Sequence, residues 1–172
     1  MTNHLDWTHK SVDIPAGGLE REREAVEGER NAIAAELGLL GLAHLSARYR
    51  IVALAGNCYR LTGSLRGDVE QACIITLESV SSRVEAPFDV EFVPVLEARD
   101  STEEESVLEG PDVEVLEHGD IPVGRIVFET LSAALDPYPR RPGAEFKWQD
   151  PHAAEPERSN PFAVLAKLRE KG

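Results

Sequence analysis

Apolar and polar residues alternate through most of residues 59–76, the longest patterned stretch of the chain. A period of two is typical of a β-strand that buries one face and exposes the other. Gly63 and Gly67 interrupt the apolar positions, so they predict bulges or sharp curvature where another element approaches closely. The apolar positions of this strand are Tyr59, Leu61, Leu65, Val69, Cys73 and Ile75.

The same alternation recurs on both sides of the long strand, in residues 45–55 and 84–94. Turn residues separate the three segments at Gly56-Asn57 and at 80–82. Together they predict an antiparallel meander with one solvated face. The turn at Gly56-Asn57 predicts that 45–55 pairs antiparallel with the long strand. A short first strand is expected at 9–14, and a further short strand is expected at 112–116.

Three segments predict helices. Residues 19–36 are rich in helix formers and precede Gly38, which suits a C-terminal cap, so a surface helix is expected there. Residues 119–135 change to a helical period and predict the main helix over the inner face of the sheet. Asn160-Pro161 suits the start of a short final helix.

These elements predict an α+β fold. The expected architecture is a curved antiparallel sheet of about five to seven strands, curling toward a barrel-like form and covered by one main helix. An N-terminal surface helix and a short C-terminal helix complete it. A chain of 172 residues suits one domain, 1–172, with 1–18 and 148–159 expected to be loosely ordered.

Charge favours some partners over others. The formal net charge is −13, from 31 acidic and 18 basic residues. A field of that sign repels phosphate backbones, which disfavours broad electrostatic contact with nucleic acid and favours basic proteins as partners. Four arginines predicted on the solvated sheet face would form a basic strip suited to RNA if they cluster. They are Arg48, Arg50, Arg60 and Arg66.

Known catalytic and metal-binding motifs are not found in the sequence. It has no glycine-rich phosphate loop, nucleophile elbow or HExxH motif, and its five histidines lack metal-ligand spacing. The two cysteines, Cys58 and Cys73, are expected to be reduced and packed in a cytoplasmic protein without a membrane span. No catalytic residue, metal or cofactor is therefore predicted. The alternative is a cysteine-based enzyme or redox protein centred on Cys73.

Residues 136–143, DPYPRRPG, form the best candidate contact segment. Its prolines predict a stiff, extended chain, from which Tyr138 and Arg140 would suit contact with RNA or with an extended acidic segment. The alternative is a stiff connector in which Tyr138 packs on the core and the arginines are solvated or paired. The candidate residues here are Asp136, Pro137, Tyr138, Pro139 and Arg140.

Four stretches, 63–78, 88–92, 121–140 and 160–168, resemble in order and spacing the YceD family in its alphaproteobacterial form. These are the large ribosomal RNA subunit accumulation proteins. The resemblance implies a non-catalytic role in synthesis, processing or stability of 23S ribosomal RNA, with a basic ribosomal protein or a large-subunit precursor as partner. The oligomeric state stays open.

The resemblance also marks residues at the end of the long strand and at the final helix. They are Gln71, Cys73, Thr76, Glu78 and Asn160. For the first four the alternative is ordinary sheet packing, and for Asn160 it is a helix cap. Many relatives carry a second cysteine near position 76 and a C-terminal cysteine cluster. Both are missing here, so no zinc site is expected.

Overall fold

The computed structural model describes residues 5–94 and 111–146. The chain divides into two compact units, Met1–Pro142 and Gly143–Gly172, and only residues 143–146 of the second are described. The described part contains seven strands and two α-helices. The strands are β1 (Thr8–Lys10), β2 (Leu19–Glu24), β3 (Gly41–Ala53), β4 (Tyr59–Ala72), β5 (Ser79–Val93), β6 (Asp112–Val115) and β7 (Asp120–Pro122). The helices are α1 (Glu27–Leu37) and α2 (Val123–Ala134).

Five strands form the main sheet in the order β2-β3-β4-β5-β6. Neighbours from β2 to β5 are antiparallel, whereas β6 runs parallel to β5. Strands β1 and β7 form a separate antiparallel pair. The α+β class is confirmed. The prediction of a barrel-like, wholly antiparallel sheet is wrong, because within the described residues no pairing joins the edge strands β2 and β6 and the sheet is mixed.

The meander of β3, β4 and β5 is confirmed, but its second turn was predicted too late. β5 already begins at Ser79, so the connecting loop is 73–78 and not 80–82. The predicted bulges at Gly63 and Gly67 are also wrong, because the β4 register is unbroken at both positions. Gly63 does mark a close approach, since the ring of Phe88 lies where its side chain would be.

The N-terminal predictions need correction. The predicted pairing of 45–55 with the long strand is confirmed, because β3 pairs antiparallel with β4. Of the short strand predicted at 9–14, only the start lies in a strand, β1, and this strand pairs with β7. Strand β2 takes the other place beside β3. Residues 19–24 were predicted as helix and form this edge strand. The helix that follows begins only at Glu27, and it ends as predicted at Gly38, whose φ of 65° is left-handed.

The core lies on the inner face of the main sheet, against α2, α1 and the segment before β1. Helix α2 packs on β4 and β5, and α1 packs on β3. Gly124 brings the start of α2 into direct contact with the backbone of Leu5. The largest wholly buried side chains include Tyr49, Phe92, Leu5, Ile33, Leu45, Ile51, Leu61, Leu65, Ile121 and Leu131. The predicted final helix and Asn160 lie outside the described residues.

Candidate functional site

Two loops that are far apart in the sequence meet at one end of the main sheet. One is the β4–β5 loop with the last residues of β4, 71–78, and the other is the segment after α2, 136–141. We call these two segments together the loop pair. Nine of the twelve candidate residues predicted from the sequence belong to it. They are Gln71, Cys73, Thr76, Glu78, Asp136, Pro137, Tyr138, Pro139 and Arg140.

Backbone hydrogen bonds close the β4–β5 loop on itself. The Cys73 amide donates to the Glu78 carbonyl over 2.8 Å, and the Leu77 amide donates to the Cys73 carbonyl over 2.9 Å. This closure places Leu77 at a φ of 60°, the left-handed region that a bulky residue rarely adopts. Backbone strain of this kind is concentrated at functional sites.

Further hydrogen bonds join the two segments of the loop pair. The Gln71 amide side chain donates to the Asp136 carbonyl, and the Ile74 backbone amide donates to the Pro139 carbonyl, each over 3.0 Å. The Arg141 guanidinium forms an ion pair with Glu78. These contacts hold the loop pair as one platform.

Cys73 lies at the centre of this platform and is wholly buried. Its Sγ accepts hydrogen bonds from the backbone amides of Thr76 at 3.5 Å and Arg141 at 3.4 Å. The hydrogen bond from the Thr76 side chain, followed by those from the two amides, lowers the pKa of the thiol to about 6, although burial acts in the opposite direction. A buried thiolate is a good hydrogen-bond acceptor but has no path to a substrate. The geometry therefore suits a structural role.

The outward surface of the loop pair is apolar and aromatic. Leu77 is 77% exposed, Tyr138 68% and Ile74 45%. The alternative in which Tyr138 packs on the core is therefore wrong. An Asx-type hydrogen bond from the Tyr138 amide to Asp136 Oδ1, 2.8 Å long, fixes the backbone beneath the ring. Arg140 is also exposed, beside the buried Pro139.

Arg60 and Arg66 lie elsewhere, on the outer face of the sheet. Arg60 donates two hydrogen bonds to Asp89, of 2.8 and 2.7 Å, and lowers the pKa of that carboxyl. Arg66 pairs with Glu85 at 3.1 Å. Arg48, on the same face, has Glu20 at 3.8 Å. Carboxylates of the neighbouring strands therefore pair with three of the four arginines of the predicted basic strip. The fourth, Arg50, donates to the Gly17 carbonyl. The face offers an RNA phosphate much less positive charge than the sequence suggested.

A family model described as large ribosomal RNA subunit accumulation protein YceD matches residues 61–169 of the chain. The chain belongs to the YceD family. Both segments of the loop pair fall within the matched range, as do β5, α2 and all of β4 after Arg60. Membership connects the protein to the accumulation of large-subunit ribosomal RNA, and the family description names no catalytic activity. Searches of curated proteins and of solved structures found no match.

Two further observations concern other classes of site. None of the helices in the described part of this YceD protein is long and apolar enough to span a membrane. Within 5–94 and 111–146, no group of three or more histidine, cysteine, aspartate or glutamate residues is arranged to hold a metal ion.

Sequence reasoning missed Ile74 and Leu77, the two aliphatic residues of the exposed surface. Both were assigned to the long strand or to its end, where an apolar residue is expected to be buried. The signal that could have found them is the pair of adjacent apolar residues Ile74-Ile75, which breaks the alternation directly after Cys73. The left-handed conformation of Leu77 depends on closure of the loop and has no sequence signature.

Proposed function

We propose that this YceD protein is a non-catalytic factor that supports the synthesis, processing or stability of 23S ribosomal RNA during assembly of the large subunit. It works in the cytoplasm by binding a basic ribosomal protein at the loop pair. The supporting observation is the exposed surface of Ile74, Leu77 and Tyr138 on a platform held by hydrogen bonds between two segments. Apolar and aromatic anchors on a rigid base are typical of the centre of a protein interface.

Charge supports a basic protein as the partner. The chain carries a formal net charge of −13, which accelerates the approach of a cationic protein and slows that of an RNA. Most ribosomal proteins have to neutralise RNA phosphates and are therefore basic. In this proposal the negative field brings the partner close, and the loop pair supplies the specific contact.

Depletion of the protein followed by sucrose-gradient profiling tests the cellular role. We expect less 23S RNA and fewer large subunits, with small subunits in excess. Normal levels of both would contradict the role in large-subunit assembly.

Co-purification tests the partner and the surface. The wild-type protein should retain ribosomal proteins of the large subunit after nuclease treatment, whereas Leu77→Ser/Tyr138→Ala should lose them. Val12→Ser is the matched control, because Val12 is 87% exposed but lies after β1, outside the loop pair. Loss of all ribosomal proteins with nuclease would contradict a direct protein partner, and equal loss in the Val12 control would contradict the assignment to the loop pair.

A further inference from the structure

The edge strand β2 separates its charges between the two faces of the sheet. Its sequence is LERERE. Arg21 and Arg23 face the inner side, opposite Tyr49 and Ala47 of β3. The three glutamates of the strand alternate with them and share the outer face with Arg48 and Arg50 of β3. Because the sheet lies between them, these glutamates are poorly placed to neutralise Arg21 and Arg23.

The two arginines lie beside a polar pair at the border of the core. His9 of β1 and the buried Tyr49 form a hydrogen bond of 2.8 Å between Nε2 and the hydroxyl, with their ring centroids 5.7 Å apart. Burial, followed by the charges of Arg23 and then Arg21, lowers the pKa of His9. A hydrogen bond from Arg23 and both positive charges also act on Tyr49, although burial is the larger effect and raises its pKa. We call Arg21, Arg23 and His9 the arginine ledge.

The arginines of the ledge differ from most other arginines of the main sheet, because no carboxylate of the described residues pairs with them. Of the other five, four have a carboxylate within 4.0 Å: Arg48, Arg60, Arg66 and Arg83. The fifth, Arg50, donates to the Gly17 carbonyl over 3.5 Å on the outer face. Across residues 5–94 and 111–146, neither Arg21 nor Arg23 forms such an ion pair. Arg21 donates to a main-chain carbonyl, that of Glu20, over 2.9 Å. Both side chains are exposed. The ledge therefore combines two accessible guanidinium groups with a neighbouring imidazole.

We propose that the arginine ledge binds the phosphodiester backbone of single-stranded ribosomal RNA. A guanidinium presents paired donors that match two phosphate oxygens, and residues i and i+2 of a strand present two such groups about 7 Å apart on one face. No carboxylate of the described residues has to be displaced first. The proposal rests on the proposed function, because it adds an RNA contact on the inner side of β2 to the protein contact at the loop pair.

Fluorescence anisotropy with a labelled single-stranded RNA and the purified full chain tests the ledge. Arg21→Gln/Arg23→Gln should weaken binding about tenfold at low salt and reduce the slope of log affinity against log salt by about 1.4, the value for two lost phosphate contacts. Arg48→Gln/Arg66→Gln is the matched control, because it removes the same charge from the opposite face. The control should bind within about twofold of wild type, since its arginines are already paired.

A second measurement locates the RNA. Bound phosphate should raise the pKa of His9, because a nearby negative charge favours the imidazolium form. NMR of the His9 ring protons across a pH titration measures this pKa. The charges already near His9 are those of Arg21 and Arg23 on β2 and of the Lys10–Asp120 ion pair between β1 and β7. The hydrogen-bond partner of His9 is Tyr49. The shift should disappear in Arg21→Gln/Arg23→Gln.

Three results would overturn the proposal: no salt-dependent RNA binding by the wild type, equal weakening by both double variants, or an unchanged His9 pKa with RNA bound. Each is obtained with purified protein and RNA. The depletion profile is obtained in cells. Failure of the ledge is therefore distinguishable from failure of the role in large-subunit assembly.

Discussion

Gly63, in the middle of β4, allows a core side chain to lie directly against the strand. A Cβ at this position would be 2.5 Å from the Arg48 carbonyl oxygen and 2.6 Å from Cζ of Phe88. The Phe88 ring is the end of a side chain and has some freedom to move. The Arg48 carbonyl belongs to the backbone of β3, which pairs with β4 over twelve residue positions. Gly63→Ala therefore forces a shift of a paired strand.

Gly67 is the matched control, four residues further along the same strand. A Cβ there would be 3.5 Å from Cδ1 of Leu131 and 3.6 Å from the His44 carbonyl oxygen, which are ordinary contact distances. Overpacking typically costs about 1–3 kcal/mol. Alanine in place of a strand glycine otherwise contributes about 0.5–1 kcal/mol of stability. We expect Gly63→Ala to lower the free energy of unfolding by about 2 kcal/mol and Gly67→Ala to leave it unchanged or raise it by up to about 1 kcal/mol.

Urea unfolding measures the difference between the two variants. Trp7 is buried in the core and reports the transition by fluorescence, with far-ultraviolet circular dichroism as the second probe. The midpoint of Gly63→Ala should fall below that of wild type with an unchanged m-value. A Gly63→Ala protein as stable as wild type, or equal destabilisation by Gly67→Ala, would refute the role assigned to the contact between Phe88 and β4.

Two further predictions concern the loop pair. Leu77→Gly should raise the free energy of unfolding by about 1 kcal/mol, because glycine adopts the left-handed conformation without strain. The same variant should capture fewer large-subunit proteins, because the exposed leucine side chain is lost. A lower free energy of unfolding in urea would contradict the strain at Leu77. The free energy of unfolding of the wild type should rise from about pH 6 to pH 9, because the folded pKa of Cys73 is about 6 and the reference value is 9.0, so the unfolded state binds more protons in that window. Cys73→Ala should remove this rise, which urea titration at each pH measures. A Cys73→Ala protein with the same pH dependence as wild type would contradict the assignment to the thiol.

The central meander was predictable because its strands alternate in hydrophobicity. Residues 19–24 were not, because the alternation in β2 is one of charge sign and both glutamate and arginine are good helix formers. Pairing with β3 overrides that local preference. The direction of β6 was equally hidden, since nothing in residues 112–115 distinguishes a parallel neighbour of β5 from an antiparallel one.

The candidate site was predictable by composition but not by arrangement. A proline-rich segment with tyrosine and arginine suggests a contact surface, yet nothing local indicates that Asp136 accepts a hydrogen bond from Gln71, 65 residues earlier. The predicted basic strip failed for a related reason. The alternation correctly assigned Arg60 to the solvated face, but its neutralisation by Asp89 depends on a cross-strand register that the single strand does not contain.

These pairings decide which surfaces are available to an RNA and which to a protein. Four arginines on the outer face of the sheet are paired with neighbouring carboxylates, so that face contributes little local attraction against the overall negative field. The arginine ledge keeps its charge because its glutamate neighbours in β2 point to the other side of the sheet. Salt screens the repulsion between exposed charges that lie more than about 8–10 Å apart. The attraction between a guanidinium and a phosphate in direct contact is screened less. An RNA that reaches this protein should therefore be held at the ledge, and a basic protein, attracted from a distance, should be held at the loop pair.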